Sequence, residues 1–228
     1  IAEYLEQLPV PPEFAIIGEP SMMKLITGQK GKIAMRAHVK GTAGHSSFAP
    51  QHVNAIEYAA RCIVYISDKA DQIAEQGPFD ANYTVAHSTM LTTMINGGRA
   101  TNITPDDCNF QFEMRHLPNH PADKVLGEIK ARIDQELLPK MQKIAPQADI
   151  TWRTKFAYPG MDDATNSEQF AAIKHLFPKA AGKVSYGTEG GLFSTKGAIP
   201  SVICGPGNIE QALKRNEYDA VDQLEKCL

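Results

Sequence analysis

The sequence contains few cysteines and spaces them widely. Four occur in 228 residues with no C-x-x-C pair, at Cys62, Cys108, Cys204 and Cys227. We expect no secretory leader. Small secreted domains usually pair their cysteines into disulfides, and redox or metal motifs cluster them. We therefore predict a reducing, cytoplasmic setting in which all four thiols are buried or half-buried.

Long apolar runs and an excess of basic residues are also absent. The longest apolar runs, such as residues 15–17 and 202–204, fall far short of the roughly 20 residues that a membrane span requires. The 23 Lys and Arg residues are balanced by 26 Asp and Glu residues, without a dense basic cluster, so no nucleic-acid interface is predicted. The remaining composition, with 43% hydrophobic residues, is typical of a soluble globular protein of one or two domains.

Residues 31–156 carry the periodicities of a small α/β domain. Apolar and polar residues alternate from Gly31 to Lys40, which predicts a half-buried strand. Asn54 can cap a helix that ends before Gly77-Pro78. The apolar positions of this helix are Ile56, Ala60, Ile63, Val64 and Ile66. Strands at 88–95, 108–115 and 150–156 and a helix at 121–138 follow. The order β-α-β-β-α-β predicts a ferredoxin-like sandwich.

The segments on either side of this sandwich predict a second sheet. Residues 12–18 form a short apolar run that is typical of a buried strand. Near the C-terminus, a helix at 167–177 and strands at 183–186 and 199–204 are predicted. We therefore predict an α/β fold in which the sandwich is inserted into a sheet domain that includes both ends of the chain. The predicted segments are 1–29 and 158–228 for the sheet domain and 30–157 for the sandwich.

Three residues have the chemistry of a functional site. Glu19 follows the first predicted strand and suits a metal ligand or a general base, although taken alone it fits a turn or cap carboxylate better. His45 lies in a Gly- and Ser-rich loop, where it can donate to a carbonyl oxygen that gains charge or is an ordinary surface histidine. Arg115 can clamp a carboxylate or is a solvated strand-end arginine. These residues predict a candidate acid-binding cleft.

Other motifs point away from common sites. His116 and His120 have the spacing of a zinc pair, but Pro118 between them prevents a helix from presenting both on one face. The glycine clusters at 96–98 and 205–207 lack the nucleotide-binding motifs. We therefore predict neither a histidine-pair zinc site nor a nucleotide site here.

Taken together, the segments resemble the zinc-dependent amidohydrolases of the acetylornithine deacetylase and succinyl-diaminopimelate desuccinylase family, over nearly the whole chain. The stretches that carry the resemblance are Ile17-Gly18-Glu19-Pro20-Ser21, Lys30-Gly31, Gly41-Thr42-Ala43-Gly44-His45-Ser46-Ser47, Asn54-Ala55-Ile56, Gly97-Gly98-Arg99-Ala100-Thr101-Asn102-Ile103, Glu113-Met114-Arg115, Tyr186-Gly187-Thr188-Glu189 and Gly205-Pro206-Gly207. Residues 137–139 and 207–212 favour the acetylornithine deacetylases within the family. The resemblance implies a partial zinc-peptidase-like α/β sheet domain with an inserted ferredoxin-like lid that dimerises.

The resemblance also implies roles for individual residues. In the family a pair of zinc ions binds the scissile carbonyl and activates a water, which a glutamate deprotonates. Glu19 resembles a zinc ligand, and His45 resembles the lid histidine that crosses a dimer interface to stabilise the oxyanion in the partner's site. Asn102 and Arg115 resemble lid groups that hold the substrate, Arg115 through the substrate carboxylate. Thr188 resembles a group that lines the site near the reacting carbonyl.

The implied partners are a second copy of the chain, which forms a homodimer through the lid, and a small N-acyl amino acid. The implied reaction converts N-acetylornithine to ornithine and acetate in arginine biosynthesis. Neither a nucleic acid nor a membrane is an expected partner.

The match is incomplete at the metal ligands. The family's first zinc histidine, bridging aspartate and paired glutamates precede the Gly-Glu-Pro segment, yet no residue before Glu19 is His or Asp. Leu213 stands where the family has its last zinc histidine, and leucine has no lone pair. One carboxylate cannot hold two zinc ions. We therefore predict that this chain by itself neither retains zinc nor hydrolyses amides.

Two interpretations remain open at this point. The chain is the C-terminal portion of an acetylornithine deacetylase-type enzyme, which the intact His45, Asn102 and Arg115 favour, or it is a non-catalytic relic or dimerisation module, which Leu213 favours. Other acyl-amino-acid hydrolases, such as succinyl-diaminopimelate desuccinylase or aminoacylase, fit the same resemblance.

Overall fold

The structure, a computed structural model, describes residues 2–177, 180–211 and 214–227. Its first half contains α1 (Ala2–Gln7), β1 (Ala15–Ile17), β2 (Leu25–Gln29), β3 (Gly31–Lys40), β4 (Gly44–His45), α2 (Ala55–Gln76), β5 (Thr89–Gly97), β6 (Ile103–Thr104) and β7 (Asp107–His116). Its second half contains α3 (Ala122–Glu136), α4 (Leu138–Ile144), β8 (Asp149–Tyr158), α5 (Glu168–Ile173), β9 (Ala180–Val184), α6 (Gly190–Lys196), β10 (Ser201–Ile203) and α7 (Val221–Cys227).

The predicted sandwich is present as a four-stranded antiparallel sheet in the order β5-β7-β3-β8. Together with α2, α3 and α4, these strands follow the chain order β-α-β-β-α-β, and one buried cluster joins the sheet to the helices. The predicted fold class is therefore confirmed. We call this part, residues 30–157, the lid.

Local sequence explains the strand β3 and the helix α2 of the lid. Every second residue of β3 is buried, as the alternation predicts, so one face of the strand lies against the helices. The Asn54 side chain accepts hydrogen bonds from the Ile56 and Glu57 amides, and α2 ends at Gly77, whose φ of 77° favours glycine. The helix is therefore bounded as predicted.

The apolar stripe of α2 differs from the prediction. The buried positions are Ala55, Tyr58, Ala59, Cys62, Ile66 and Ile73, whereas Val64 is 53% exposed. Of the predicted positions, Ile66 is buried and Ile56 and Ile63 pack against the buried cluster, whereas Ala60 and Val64 face solvent. The prediction was therefore correct at three of five positions and missed the small and aromatic residues of the inner face. No helix in the described ranges is long and apolar enough to cross a membrane.

A second, smaller sheet has the order β1-β10-β2-β9. β1 and β10 are parallel, β10 and β2 are antiparallel, and β2 and β9 are parallel. All five residues of β2 are buried, although the sequence analysis missed this strand. Its Thr, Gly and Gln residues interrupt the apolar pattern that would indicate a buried strand. The strand is also short, and its neighbours β9 and β10 come from the C-terminal part of the chain.

The chain passes between the two sheets twice at one place, which we call the junction (residues 29–31 and 158–161). β2 ends at Gln29 and β3 begins at Gly31, so a single residue separates the two strands. On the return, Gln29 and Met161 exchange backbone hydrogen bonds of 3.3 and 3.1 Å. Both connections are thus tied together at the backbone.

Three of the four cysteines fit the expectation and one does not. Cys62, Cys108 and Cys204 are buried free thiols, whereas Cys227 is exposed. The prediction for Cys227 was wrong because α7 presents this residue to solvent. Burial is the main reason that the pKa of the Cys62 thiol is raised to about 12. A hydrogen bond with its own backbone lowers the pKa slightly, and Cys108 raises it slightly.

Candidate functional site

A cavity of about 330 Å³ lies between the smaller sheet and the end of the lid sheet. Its lining residues are Glu19, Phe156, Ala157, Tyr158, Gly187, Thr188, Glu189 and Leu192. Glu19 and Thr188, which come from sequence positions far apart, therefore share one cavity. We call it the junction cavity, because Tyr158 belongs to the junction.

Glu19 lies two residues beyond β1 and is half-buried in this cavity. Burial raises the pKa of its carboxyl group, and the neighbouring charge of Glu189 raises it further. Tyr186 lies against the same segment and donates a hydrogen bond of 3.0 Å to the Pro20 carbonyl. The cavity thus concentrates negative charge, and the sequence analysis had not singled out Glu189.

Thr188 is buried and held by the side chain of Gln29. The Gln29 Oε1 atom accepts from the Thr188 backbone N–H at 2.9 Å and from its hydroxyl at 2.6 Å. The Gln29 Nε2 atom donates to the Thr188 carbonyl at 2.9 Å. Because the Thr188 hydroxyl donates to Gln29 and accepts from the Gly190 N–H, it organises the turn rather than donating to the cavity.

Arg115 lies near the end of β7 beside the junction cavity. Its Nε donates to the Glu113 carboxylate at 3.1 Å, and Nη1 donates to the Tyr158 hydroxyl at 2.8 Å. Lys32 pairs with the other Glu113 oxygen at 2.6 Å. Burial opposes ionisation of Glu113, but Lys32 and Arg115 outweigh it and hold its pKa below the usual range. The arginine is therefore oriented and keeps further N–H groups for a ligand.

His45 and Asn102 lie together at the opposite end of the lid sheet. β4 pairs with β6, which sets His45 opposite Ile103, and the Ser46 amide donates to the Asn102 carbonyl at 3.0 Å. The Nδ1 atom of His45 accepts from the Ser47 amide at 3.2 Å. The Ser47 hydroxyl also lies 2.7 Å from Nδ1. Nε2 of this exposed ring is therefore the nitrogen left for a ligand, and it donates outward in the tautomer that carries its proton there.

The candidate residues therefore form two groups rather than one. Arg115 belongs to the junction end of β7, whereas His45 and Asn102 flank the loop beyond its other end. With a rise of about 3.4 Å per residue, ten-residue β7 separates the groups by about 30 Å. One chain by itself cannot bring both groups to the same small substrate.

The described residues do not fit a complete zinc site. Zinc in a catalytic site takes about three protein ligands and a water. Within the described residues, no group of three or more His, Cys, Asp or Glu side chains is arranged to hold a metal. Glu19 offers one carboxylate, and Leu213, the predicted position of a lost ligand, lies outside the described residues.

Gln29, Tyr158 and Glu189 are functional candidates that sequence reasoning missed. Gln29 ends an unpredicted strand, and Tyr158 ends β8, so neither stood in a recognisable motif. Glu189 lies within the Tyr186-Gly187-Thr188-Glu189 stretch, which was the available signal. Their proximity depends on the meeting of two sheets, which no local pattern encodes.

Comparison with known proteins identifies a matching domain. The sequence model of the M20 peptidase dimerisation domain matches residues 27–141. This range contains most of the lid, including β3, α2, β5, β7 and α3. The domain thus corresponds to the part of the chain that the sequence predicted as a ferredoxin-like sandwich.

Curated relatives extend the similarity beyond that domain. An acetylornithine deacetylase of Proteus mirabilis is 30% identical over 210 residues, which are 91% of this chain and 51% of that protein. An acetylornithine deacetylase of Shigella sonnei is 28% identical over 215 residues, covering 94% of this chain and 54% of that protein. The chain thus spans about half the length of these relatives.

Solved structures share the fold. The crystal structure of a tripeptidase from Staphylococcus aureus aligns with a TM-score of 0.58 at 22% identity. The alignment covers 90% of this chain and 52% of that one. At this identity the likeness concerns the fold alone.

Proposed function

The chain belongs to the M20 peptidases that carry a dimerisation domain, and we propose that it supplies the lid and the substrate clamp of a hydrolase of that family. The proposed substrate is a small N-acyl amino acid, and the proposed partner is a second copy of the chain. The observation that carries this proposal is the separation of the candidate residues into two groups at opposite ends of the lid sheet.

In the proposed reaction each chain supplies different parts of two sites. Arg115 binds the substrate carboxylate through the N–H groups that Glu113 and Tyr158 leave available. The acyl amide lies in the junction cavity near Glu19. His45 of the second copy donates from Nε2 to the carbonyl oxygen as that atom gains negative charge, and Asn102 of the second copy holds the same end of the substrate.

The edge of the lid supports the proposed homodimer. β5 is an edge strand of the lid sheet, and its Leu91, Met94 and Ile95 side chains are each more than half exposed. Val64 on the neighbouring α2 is also more than half exposed. An edge strand with exposed apolar residues is a template for pairing with another chain, and a twofold axis there extends the sheet across both copies.

The similarity to acetylornithine deacetylases supports a finer proposal. We propose N-acetylornithine as the substrate, with ornithine and acetate as products in cytoplasmic arginine biosynthesis. Zinc belongs to this proposal for the whole hydrolase, where it would supply Lewis-acid chemistry. Glu19 would be the ligand that this chain contributes, and we propose that the 228-residue chain alone retains no stoichiometric zinc and is inactive.

A non-catalytic dimerisation module is the second candidate function. It is supported by the match of the dimerisation domain to half of the chain and by the lack of a metal-binding cluster among the described residues. The two candidates make opposite predictions for amide hydrolysis by the longest reading frame that contains the chain, and the same prediction for self-association.

Mixed dimers test the first candidate. His45→Ala and Arg115→Ala are introduced separately into the longest reading frame that contains the chain, in a Leu213→His background that restores the histidine of the resemblance. Each variant alone is expected to be inactive. Co-assembled in equal amounts, they are expected to recover about a quarter of the parental sites, because one site in each mixed dimer is intact. No recovery would contradict sharing of the site between copies.

The Leu213→His substitution by itself gives the second test. Leu213→His is expected to raise hydrolysis of N-acetylornithine from near zero, and unchanged activity would favour the dimerisation module. Zinc analysis of the purified 228-residue chain is expected to show substoichiometric metal. Tightly bound zinc at one or two ions per chain would refute the inactivity proposal.

A further inference from the structure

The turn formed by residues 187–191, which we call the 187–191 turn, is seated directly on the junction. A Cβ atom at Gly187 would overlap the Tyr158 ring, and one at Gly191 would overlap the Pro159 carbonyl. A Cβ at Gly190 would lie 2.7 Å from the Met161 sulfur. The three glycines thus permit close contact with the segment through which the chain returns from the lid.

Gln29 fastens the same turn to the other connection. Its amide group is buried and uses both its oxygen and its nitrogen on Thr188. The Gln29 backbone meanwhile pairs with Met161. A buried amide that loses such partners leaves polar groups unsatisfied, so this arrangement holds one relative position of turn and junction.

Tyr158 links the turn to the candidate carboxylate clamp. Its oxygen accepts a hydrogen bond from Arg115 at 2.8 Å, and its ring covers Gly187. Burial raises the pKa of the Tyr158 hydroxyl, whereas Arg115 and the Gly187 backbone N–H act in the opposite direction. The Tyr158 oxygen thus contacts both Arg115 of the lid and the backbone of the 187–191 turn.

We propose that Gln29 and Tyr158 are positioning residues that couple the lid to the 187–191 turn, so that the placement of Arg115 and the angle between the sheets set the position of Thr188 and Glu189 in the junction cavity. The role in hydrolysis rests on the proposed function, whereas the coupling itself does not. Displacements of about 1 Å at a reacting centre change rates strongly, so a turn fixed in this way controls turnover more than binding.

Hydrogen exchange in the 228-residue chain tests the coupling without any activity. Gln29→Met preserves the side-chain length and removes both hydrogen-bonding groups. Tyr158→Phe removes the bond to Arg115 and keeps the ring over Gly187. The Thr188 and Gly190 amides are expected to exchange about tenfold faster in Gln29→Met and measurably faster in Tyr158→Phe.

Matched variants separate coupling from a general loss of stability. Gln142→Met removes an amide that donates to Ala148, and Tyr65→Phe removes a hydroxyl that donates to Glu136, both away from the junction. Neither is expected to change exchange at Thr188. Amides in the lid core, such as those of Val39 and Phe110, serve as the internal reference. Wild-type exchange at Thr188 and Gly190 in Tyr158→Phe would overturn the proposal, and this readout remains if Gln29→Met fails to fold.

Kinetic measurements on the longest reading frame in the Leu213→His background test the role of the coupling in hydrolysis. Tyr158→Phe is expected to lower kcat at least about tenfold while KM changes less than about threefold, since the Arg115 side chain remains. An equal rise in KM with kcat unchanged would overturn the positioning role. Absence of hydrolysis in the parental protein would refute the proposed function, while the exchange data would still decide the coupling.

Discussion

The lid and the smaller sheet bury their apolar side chains to very different extents. In the lid, one continuous cluster joins β3, β7 and β8 to three helices and includes Phe110, Phe112 and Ile133, all nearly inaccessible to solvent. In the smaller sheet the buried residues form two small groups. These are Ile17, Ile26, Met161 and Ile203, and Leu25, Phe170 and Val202.

Both parts also expose large apolar side chains. Near the smaller sheet, Val10 is 77% exposed and Val221 is 69% exposed, and Ile16 on the edge strand β1 is half exposed. The lid exposes such residues on α2, β5 and β8 and in its loops. Since burial of apolar area is the main stabilising term, the lid holds its fold with its own residues, whereas the smaller sheet depends strongly on the junction.

Excision of the lid gives the largest expected effect. A fragment of residues 30–157 should fold alone and unfold in a single cooperative transition, because the large cluster lies entirely within it. Circular dichroism and urea unfolding measure this. A fragment without cooperative unfolding would show that the lid also depends on the junction, for example on the backbone pairing of Gln29 with Met161, which the fragment lacks.

Removal of one phenylalanine from each part sharpens the comparison. Phe112→Ala should lower the free energy of unfolding of the lid by about 3–5 kcal/mol, because its ring is buried in the large cluster. Phe170→Ala should cost less, because its small cluster is shallow and can relax into solvent. Urea unfolding of both variants provides the measurement, and equal losses would contradict the difference between the two cores.

The helix caps offer a smaller, matched pair. Asn54→Ala removes a side chain that caps the 22-residue α2 and should destabilise the lid by about 1 kcal/mol. Ser167→Ala removes the cap of the six-residue α5 and should leave the lid transition unchanged. Thermal unfolding followed in the lid by Trp152 fluorescence distinguishes the two. A shift with Ser167→Ala would mean that the parts unfold together.

The ion pair between Asp80 and Lys183 gives the smallest effect and depends on pH. It joins the segment after α2 to β9 at 2.8 Å. Burial opposes ionisation of Asp80, but hydrogen bonds from Lys183 and Asn82 outweigh it, so its pKa is lowered. The contribution is therefore present above the ordinary carboxyl pKa, about 4, and is lost as the pH falls through the lower folded value.

Asp80→Asn tests this contribution. The variant should be slightly less stable than the wild type at pH 7, by at most about 1 kcal/mol, and the difference should shrink below about pH 4. Glu128→Gln is the control variant, because Glu128 pairs with Lys69 within the lid. A difference that grows towards acid would contradict the assigned direction of the Asp80 pKa.

Much of the lid could be predicted from local sequence. The alternation in β3, the Asn54 cap and a helix within the predicted range 121–138 each appear as expected. These signals lie within single elements and repeat at the period of a strand or a helix. The smaller sheet was harder because β1, β2 and β10 have only three to five residues each.

For the candidate site, the sequence likewise indicated the individual residues but not how they are grouped in space. The sequence supplied Glu19, His45, Asn102, Arg115 and Thr188 through residue chemistry and resemblance, and none of their proposed roles depends on a secondary-structure pattern. Their grouping could not be predicted, because the ten-residue span of β7 separates Asn102 from Arg115 in space although they are near in sequence. Gln29 and Tyr158 likewise become functional candidates only because the two sheets meet at the junction.

The sequence by itself therefore determined the α/β class and the ferredoxin-like order of the lid, because each depends on local periodicity. Only the tertiary structure decided that Arg115 lies at one end of the lid sheet and His45 in the separate β4–β6 pair beyond its other end, and that Gln29 holds Thr188 across 159 residues of chain. Such proximities arise from non-local strand pairing and close packing at the junction, which leave no periodic trace in the sequence.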